Sequence, residues 1–175
     1  PHSRTFRPRN ICYSVINSYI CKSTYLREAR RRAGKTYTIM EQELTVALIY
    51  DFDGTLAPGN MQEYDFIPAV GKSNKEFWSE ANALAEAQDA DPVLTYMARM
   101  IQEAQSKGLS LRREAFQESG RNIAYYRGVE GWFPRMNAYA AERGLRLLHY
   151  VNSSGLKEII EGTSIAREFK HIYAC

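Results

Sequence analysis

Apolar residues follow two different periods along this chain. Val46-Ala47-Leu48-Ile49-Tyr50 is a short continuous apolar run, and residues 144–152 form a second strand-like run ending at Asn152. Runs of this length, bounded by turn residues, read as buried strands. Between them, residues 57–143 place apolar side chains at helical spacing. Ser73-Asn74-Lys75-Glu76 fits a capping box ahead of Phe77, Trp78, Ala81, Leu84 and Ala85. Asp91-Pro92 fits an N-cap and first helical position before Val93, Leu94, Met97, Met100 and Ile101, with Gly108 as the stop. A third helix is expected over about residues 112–121. A fourth is expected from about 131 to 143, with Gly144 ending it, and Leu156 to Gly162 opens another helix after the second strand. The alternation of strands and helices predicts an α/β fold.

The first strand ends in Asp51-Phe52-Asp53-Gly54-Thr55-Leu56. Carboxylates are rarely buried unless paired or metal-bound. Side chains two apart on an extended chain point the same way, so Asp51 and Asp53 can converge on one ion. Ligands of open α/β sheets sit at the carboxyl ends of strands. The residues therefore suit Mg²⁺ beside a carboxylate nucleophile. Gly54 permits a tight turn, and Thr55 offers a hydroxyl and an N–H to a phosphate. The second strand ends in Ser153-Ser154-Gly155, where hydroxyls and backbone N–H groups can cradle phosphate.

Asp-Phe-Asp-Gly-Thr-Leu resembles motif I of the haloacid dehalogenase-like hydrolases, a superfamily dominated by Mg²⁺-dependent phosphatases. Ser153 matches the Ser or Thr of motif II by position, and Ser-Ser-Gly-Leu is most similar to the phosphoserine-phosphatase-like branch. The resemblance implies that Asp51 attacks phosphorus and that Asp53 is the general acid and base. It implies that Asp51 and the Asp53 carbonyl hold Mg²⁺, while Thr55, Ser153 and Ser154 support a small phosphorylated substrate. It also implies a partial Rossmann-like parallel sheet over residues 40–56 and 144–175, with residues 57–143 as a helical cap inserted after the first strand. A motif III lysine and motif IV acids have no evident match before Cys175. Glu158, Glu161 and Glu168 read as helical, and Lys157 and Lys170 read as lying in or near helices. The chain is thus expected to be a C-terminally truncated fragment whose first strand keeps one unpaired apolar edge.

Charge divides the chain at Met40. Residues 1–40 hold nine Lys or Arg and one acid, Glu28, for a net +8; the whole chain is +3, so the remainder carries −5. The basic balance therefore belongs to the leader, and the enzyme-like part argues against nucleic acid as its partner. The leader fits a basic arm for nucleic acid or anionic membrane, a transit peptide, or sequence upstream of a true start at Met40; the last is the favoured expectation. A rival to the enzyme is a non-catalytic phosphate- or partner-binding protein using that arm.

Among the cap's aromatics, Phe77, Trp78, Tyr96, Phe116, Tyr125, Tyr126, Trp132 and Phe133 read as core rather than a ligand box. Arg121, Arg127 and Arg135 read as solvated. Cys12, Cys21 and Cys175 have no metal-like spacing, which fits a reduced cytoplasm. No apolar run is long enough for a membrane span. His149, inside a strand, reads as structural.

Overall fold

The computed structural model describes residues 44–175; the expectations for residues 1–39 and for the start at Met40 lie outside the described residues. The fold is α/β. Strands β1 (Leu44–Tyr50), β2 (Leu145–Asn152) and β3 (Phe169–Tyr173) form a parallel sheet in the order β1-β2-β3. Helices α1 (Phe66–Ala69), α2 (Asn74–Gln88), α3 (Pro92–Lys107), α4 (Arg113–Gly120) and α5 (Trp132–Ala141) lie between β1 and β2 in sequence. Helix α6 (Lys157–Glu161) and a 3-10 turn at Ala166–Glu168 connect β2 to β3. Among the described residues no helix is long and apolar enough to cross a membrane.

The local start and stop signals act as expected. Ser73 Oγ accepts from the Glu76 N–H, and the Glu76 carboxylate accepts from the Ser73 N–H at 2.9 Å, which completes the capping box of α2. Asp91 Oδ1 accepts from the Val93 and Leu94 N–H groups, Pro92 takes the first helical position of α3, and Gly108 closes it at φ 66°.

Two readings need correction. The Val46–Tyr50 run suggested a buried strand, yet none of β1 is fully buried, and Ile49 is 68% and Leu44 52% exposed. Val46, Leu48 and Tyr50 turn towards the core while Ala47 and Ile49 point out, which is the period-two alternation of a strand covered on one face. Among the described residues β1 has β2 on one side and no strand on the other. Lys170 was expected in or near a helix but lies in β3. Its segment, Phe169-Lys170-His171-Ile172-Tyr173, is only five residues long and directly follows a helical turn, so it offers too few positions to declare a period.

Phe133 of α5 anchors the covered face of the sheet. Its fully buried ring meets Tyr50, His149 and Phe169 edge-on at centroid distances of 5.8, 5.2 and 5.3 Å, one contact to each strand. Beneath it runs a closed polar chain. The Trp132 indole N–H donates to the Tyr50 hydroxyl at 2.9 Å, that hydroxyl reaches His149 Nδ1 at 2.8 Å, and His149 Nε2 reaches Asn137 Oδ1 at 3.0 Å. With the Tyr50 oxygen already accepting from Trp132, its proton goes to Nδ1, so a neutral His149 carries its own proton on Nε2. Burial holds His149 below the usual imidazole pKa. The expectation of a structural histidine agrees with this fully satisfied setting.

Helices α4 and α6 meet at two glycines. A Cβ at Gly120 would lie 2.1 Å from the Ile159 carbonyl oxygen, and one at Gly162 would lie 1.8 Å from that of Gln117. Arg113 extends across this crossing to Glu158 at 2.9 Å and Glu161 at 3.3 Å. Another cluster ties α2 to α3: Lys72 reaches Glu80 at 2.5 Å and Glu103 at 3.1 Å, and Arg99 pairs with the same two carboxylates.

Candidate active site

The first loop is built around Phe52. Its ring is fully buried, and its carbonyl accepts from the N–H groups of Thr55, Leu56 and Ala57 at 3.3, 2.9 and 3.2 Å. Gly54 turns the chain at φ 72°, a conformation that costs glycine least. Asp51 and Asp53 flank Phe52 just past the end of β1, and the Asp51 charge acts on Asp53. Asp51 is exposed, and its Oδ1 accepts from the Phe52 N–H at 2.8 Å.

Asp53 is held more tightly. Its Oδ1 accepts from the Met61 N–H at 2.9 Å. Burial, with smaller contributions from the Asp51 and Glu63 charges, pushes its carboxyl up to about 7, against the lowering effect of the Met61 bond. Glu63 is fixed in turn, its Oε1 accepting from Asn60 at 2.7 Å and from the Trp78 indole at 2.8 Å.

The second loop packs onto the first. Ser153 Oγ accepts from the Gly155 N–H at 3.0 Å, and the Ser153 N–H donates to the Tyr173 carbonyl at 2.9 Å. The Ser154 carbonyl accepts from the Tyr96 hydroxyl at 2.7 Å. Gly155 faces Asp53 so closely that a Cβ there would lie 3.3 Å from its Oδ2. The structure thus brings Asp53 and the Ser153–Gly155 turn into one place, with Asp51 beside them; Thr55 is exposed on the first loop.

The available donors suit Mg²⁺. They are all oxygen: the Asp51 carboxylate, and the Asp53 carbonyl, which accepts no backbone hydrogen bond among the described residues. Among the described residues no three His, Cys, Asp or Glu side chains group to hold a metal, so water and a substrate phosphate would complete such a shell. Lys157 opens α6 and lies 3.9 Å from Glu161.

Several neighbours were not read as site residues from the sequence, Trp78 and Tyr96 having been assigned to the core. Met61, Gln62, Glu63 and Trp78 surround Asp53 or its partners, and Tyr96 reaches the second loop from α3. The only available hint was polar: Asn60, Gln62 and Glu63 follow Asp53 closely in a stretch that otherwise builds core. Nothing local could announce Tyr96. The arginines kept their solvated reading: Arg121 pairs with Glu118, and Arg135 lies over the Trp132 ring at 5.7 Å. Of the aromatics assigned to the core, Phe77 and Phe133 are fully buried, whereas Tyr126 is largely exposed.

No family model matches this chain. It is 31% identical over 147 residues to an uncharacterized protein of Borreliella burgdorferi, an alignment covering 77% of this chain. The chain spans about half, 50%, of the length of that relative. Among solved structures it is similar to a predicted phosphoglycolate phosphatase from Haemophilus somnus 129PT. There the identity is 14%, the TM-score 0.32, and the coverage 78% of this chain and 64% of that one. A likeness so distant carries no argument about chemistry, which rests on this chain's own residues.

Proposed function

We propose that this chain carries part of a Mg²⁺-dependent phosphatase that hydrolyses small phosphomonoesters through an aspartyl-phosphate. One observation carries the reading: two carboxylates flank a buried phenylalanine at the carboxyl end of a parallel strand, and the serine turn of the next strand packs against the second of them.

Asp51, exposed to a substrate, is the nucleophile. Its carboxylate oxygen bonds to phosphorus as the ester P–O bond breaks, and Asp53 gives its proton to the leaving oxygen. In the second half Asp53 takes a proton from water, the water oxygen bonds to phosphorus, and the Asp51–phosphorus bond breaks to release phosphate. A carboxyl raised to about 7 suits both duties near neutral pH. Thr55, Ser153 and Ser154 hold the phosphate with hydroxyls and N–H groups. Asp51 and the Asp53 carbonyl would hold Mg²⁺, which when bound neutralises charge between the nucleophile and the phosphate. Helices of residues 57–143 act as the cap that excludes water and selects the substrate.

The test is hydrolysis of an aryl phosphate with and without Mg²⁺, beside Asp51→Asn. Turnover that needs both supports the reading. Turnover unaffected by Asp51→Asn removes the nucleophile assignment. A folded chain that binds phosphate without turnover favours the non-catalytic alternative.

A further inference from the structure

We infer that Tyr96 is a positioning residue, which uses its hydroxyl to fix the Ser153–Gly155 turn from α3. The proposal deepens the phosphatase reading and rests on it for its kinetic consequences.

Tyr96 is almost fully buried, which is costly for a hydroxyl unless it finds a partner. That partner is a peptide carbonyl 58 residues away, at Ser154, 2.7 Å from the hydroxyl. A helix carbonyl or a water would have satisfied the same group. Here the bond joins the helical segment to the turn proposed to hold phosphate. Rotation of the peptide following Ser154 would swing the Gly155 N–H with it, and that N–H is the donor to Ser153 Oγ. One hydroxyl therefore restrains both serines.

The ring is itself oriented. Trp78 meets Tyr96 edge-on at 5.7 Å, and the Trp78 indole is tied to Glu63, next to the segment that binds Asp53. The buried Gln62 amide lies beside the same hydroxyl, and its Oε1 has no hydrogen-bond partner among the described residues. The first loop, α2, α3 and the second loop thus meet around Tyr96. Burial, and after it the charges of Cys175 and Asp53, push the Tyr96 hydroxyl above the usual tyrosine range, which keeps it protonated and donating.

Tyr96→Phe isolates the hydroxyl, because the ring and its contact with Trp78 remain. Two readouts are needed: inhibition of aryl phosphate hydrolysis by inorganic phosphate in the presence of Mg²⁺, and hydrogen exchange of the Gly155 amide without ligand. The expected result is phosphate inhibition weakened about tenfold together with a raised KM, kcat within about threefold, and Gly155 exchange at least about tenfold faster. Unchanged inhibition and exchange overturn the inference, as does a fall in melting temperature with both unchanged, which marks a purely structural tyrosine. If the unsubstituted chain shows no Asp51-dependent turnover, the phosphatase reading fails by itself. The exchange of Gly155 then decides the positioning role: faster exchange sustains it and unchanged exchange overturns it.

Discussion

Gly155 stands against Met61 with no room for a side chain: a Cβ would lie 2.1 Å from Met61 Cε and 2.7 Å from its Sδ. Met61 is buried, and its sulfur lies 3.2 Å from the Leu156 N–H, so the thioether is not free to swing into solvent. Gly155→Ala must displace Met61, whose N–H holds Asp53. The expected cost is about 1–3 kcal/mol in a urea titration, with hydrolysis reduced further than the stability loss explains. Full activity in a destabilised variant would separate this contact from the chemistry.

A stricter constraint operates at Gly162, where the clashing atom is the backbone oxygen of Gln117 rather than a flexible side chain. Gly162→Ala has to part α4 from α6. The expected loss is about 3 kcal/mol, at the upper end of overpacking effects. Gly108→Ala is a different kind of change, because Gly108 sits at φ 66° with open space where the Cβ would go, so its cost is conformational rather than steric. A Gly162→Ala melting temperature equal to that of the parent chain would show that the helices do not meet as described.

Asp53 works against stability in the metal-free protein. Its carboxyl is raised from 3.8 to about 7, so the folded form holds a proton that the unfolded chain has released. The stability it contributes is full below about pH 4 and is lost as pH rises through 7. Asp53→Asn keeps an oxygen for the Met61 N–H and removes the charge. It should therefore stabilise the chelator-treated protein at pH 8, by about 2 kcal/mol after allowance for its partial exposure, and leave it unchanged near pH 4. Equal melting temperatures at pH 8 would contradict the burial of that charge.

His149 has the opposite slope. Burial holds its folded pKa below the ordinary imidazole value of 6.5, so the unfolded chain takes up the proton first as the solution is acidified. Stability from the neutral ring is complete above about pH 6.5 and falls as pH drops towards the lowered folded value. Protonation of Nδ1 would also remove the acceptor for the Tyr50 hydroxyl. His149→Gln should flatten the fall in stability below about pH 6.5 relative to the parent chain. A parent and variant with parallel curves would place His149 outside this linkage.

Sequence alone made the helices legible wherever a local device fixed them. The Ser73–Glu76 box, the Asp91-Pro92 start and the Gly108 stop each act within a few residues, and all three operate in the folded chain. The two strands ahead of Asp51 and Ser153 were legible from their apolar runs, but the exposed face of β1 was not, because Ala47 and Ile49 are as apolar as the residues turned inwards. β3 was missed because five residues after a helical turn carry no clear period. At the candidate site the expectation for Asp51 and Asp53 came from their spacing on either side of Phe52. Contacts such as Tyr96 with Ser154 and Gly155 with Met61 depend on how the helices return to the sheet, and no local pattern encodes that.

The central claim is that Asp51 becomes covalently phosphorylated. The direct measurement is acid quenching of the chain during turnover of an aryl phosphate with Mg²⁺, followed by mass spectrometry of the peptide containing Asp51. The account predicts one acid-stable, hydroxylamine-labile phosphoryl group on Asp51, absent from Asp51→Asn and accumulating in Asp53→Asn, where water attack lacks its base. Turnover with an unmodified Asp51 at every quench time, in Asp53→Asn as well, would contradict it.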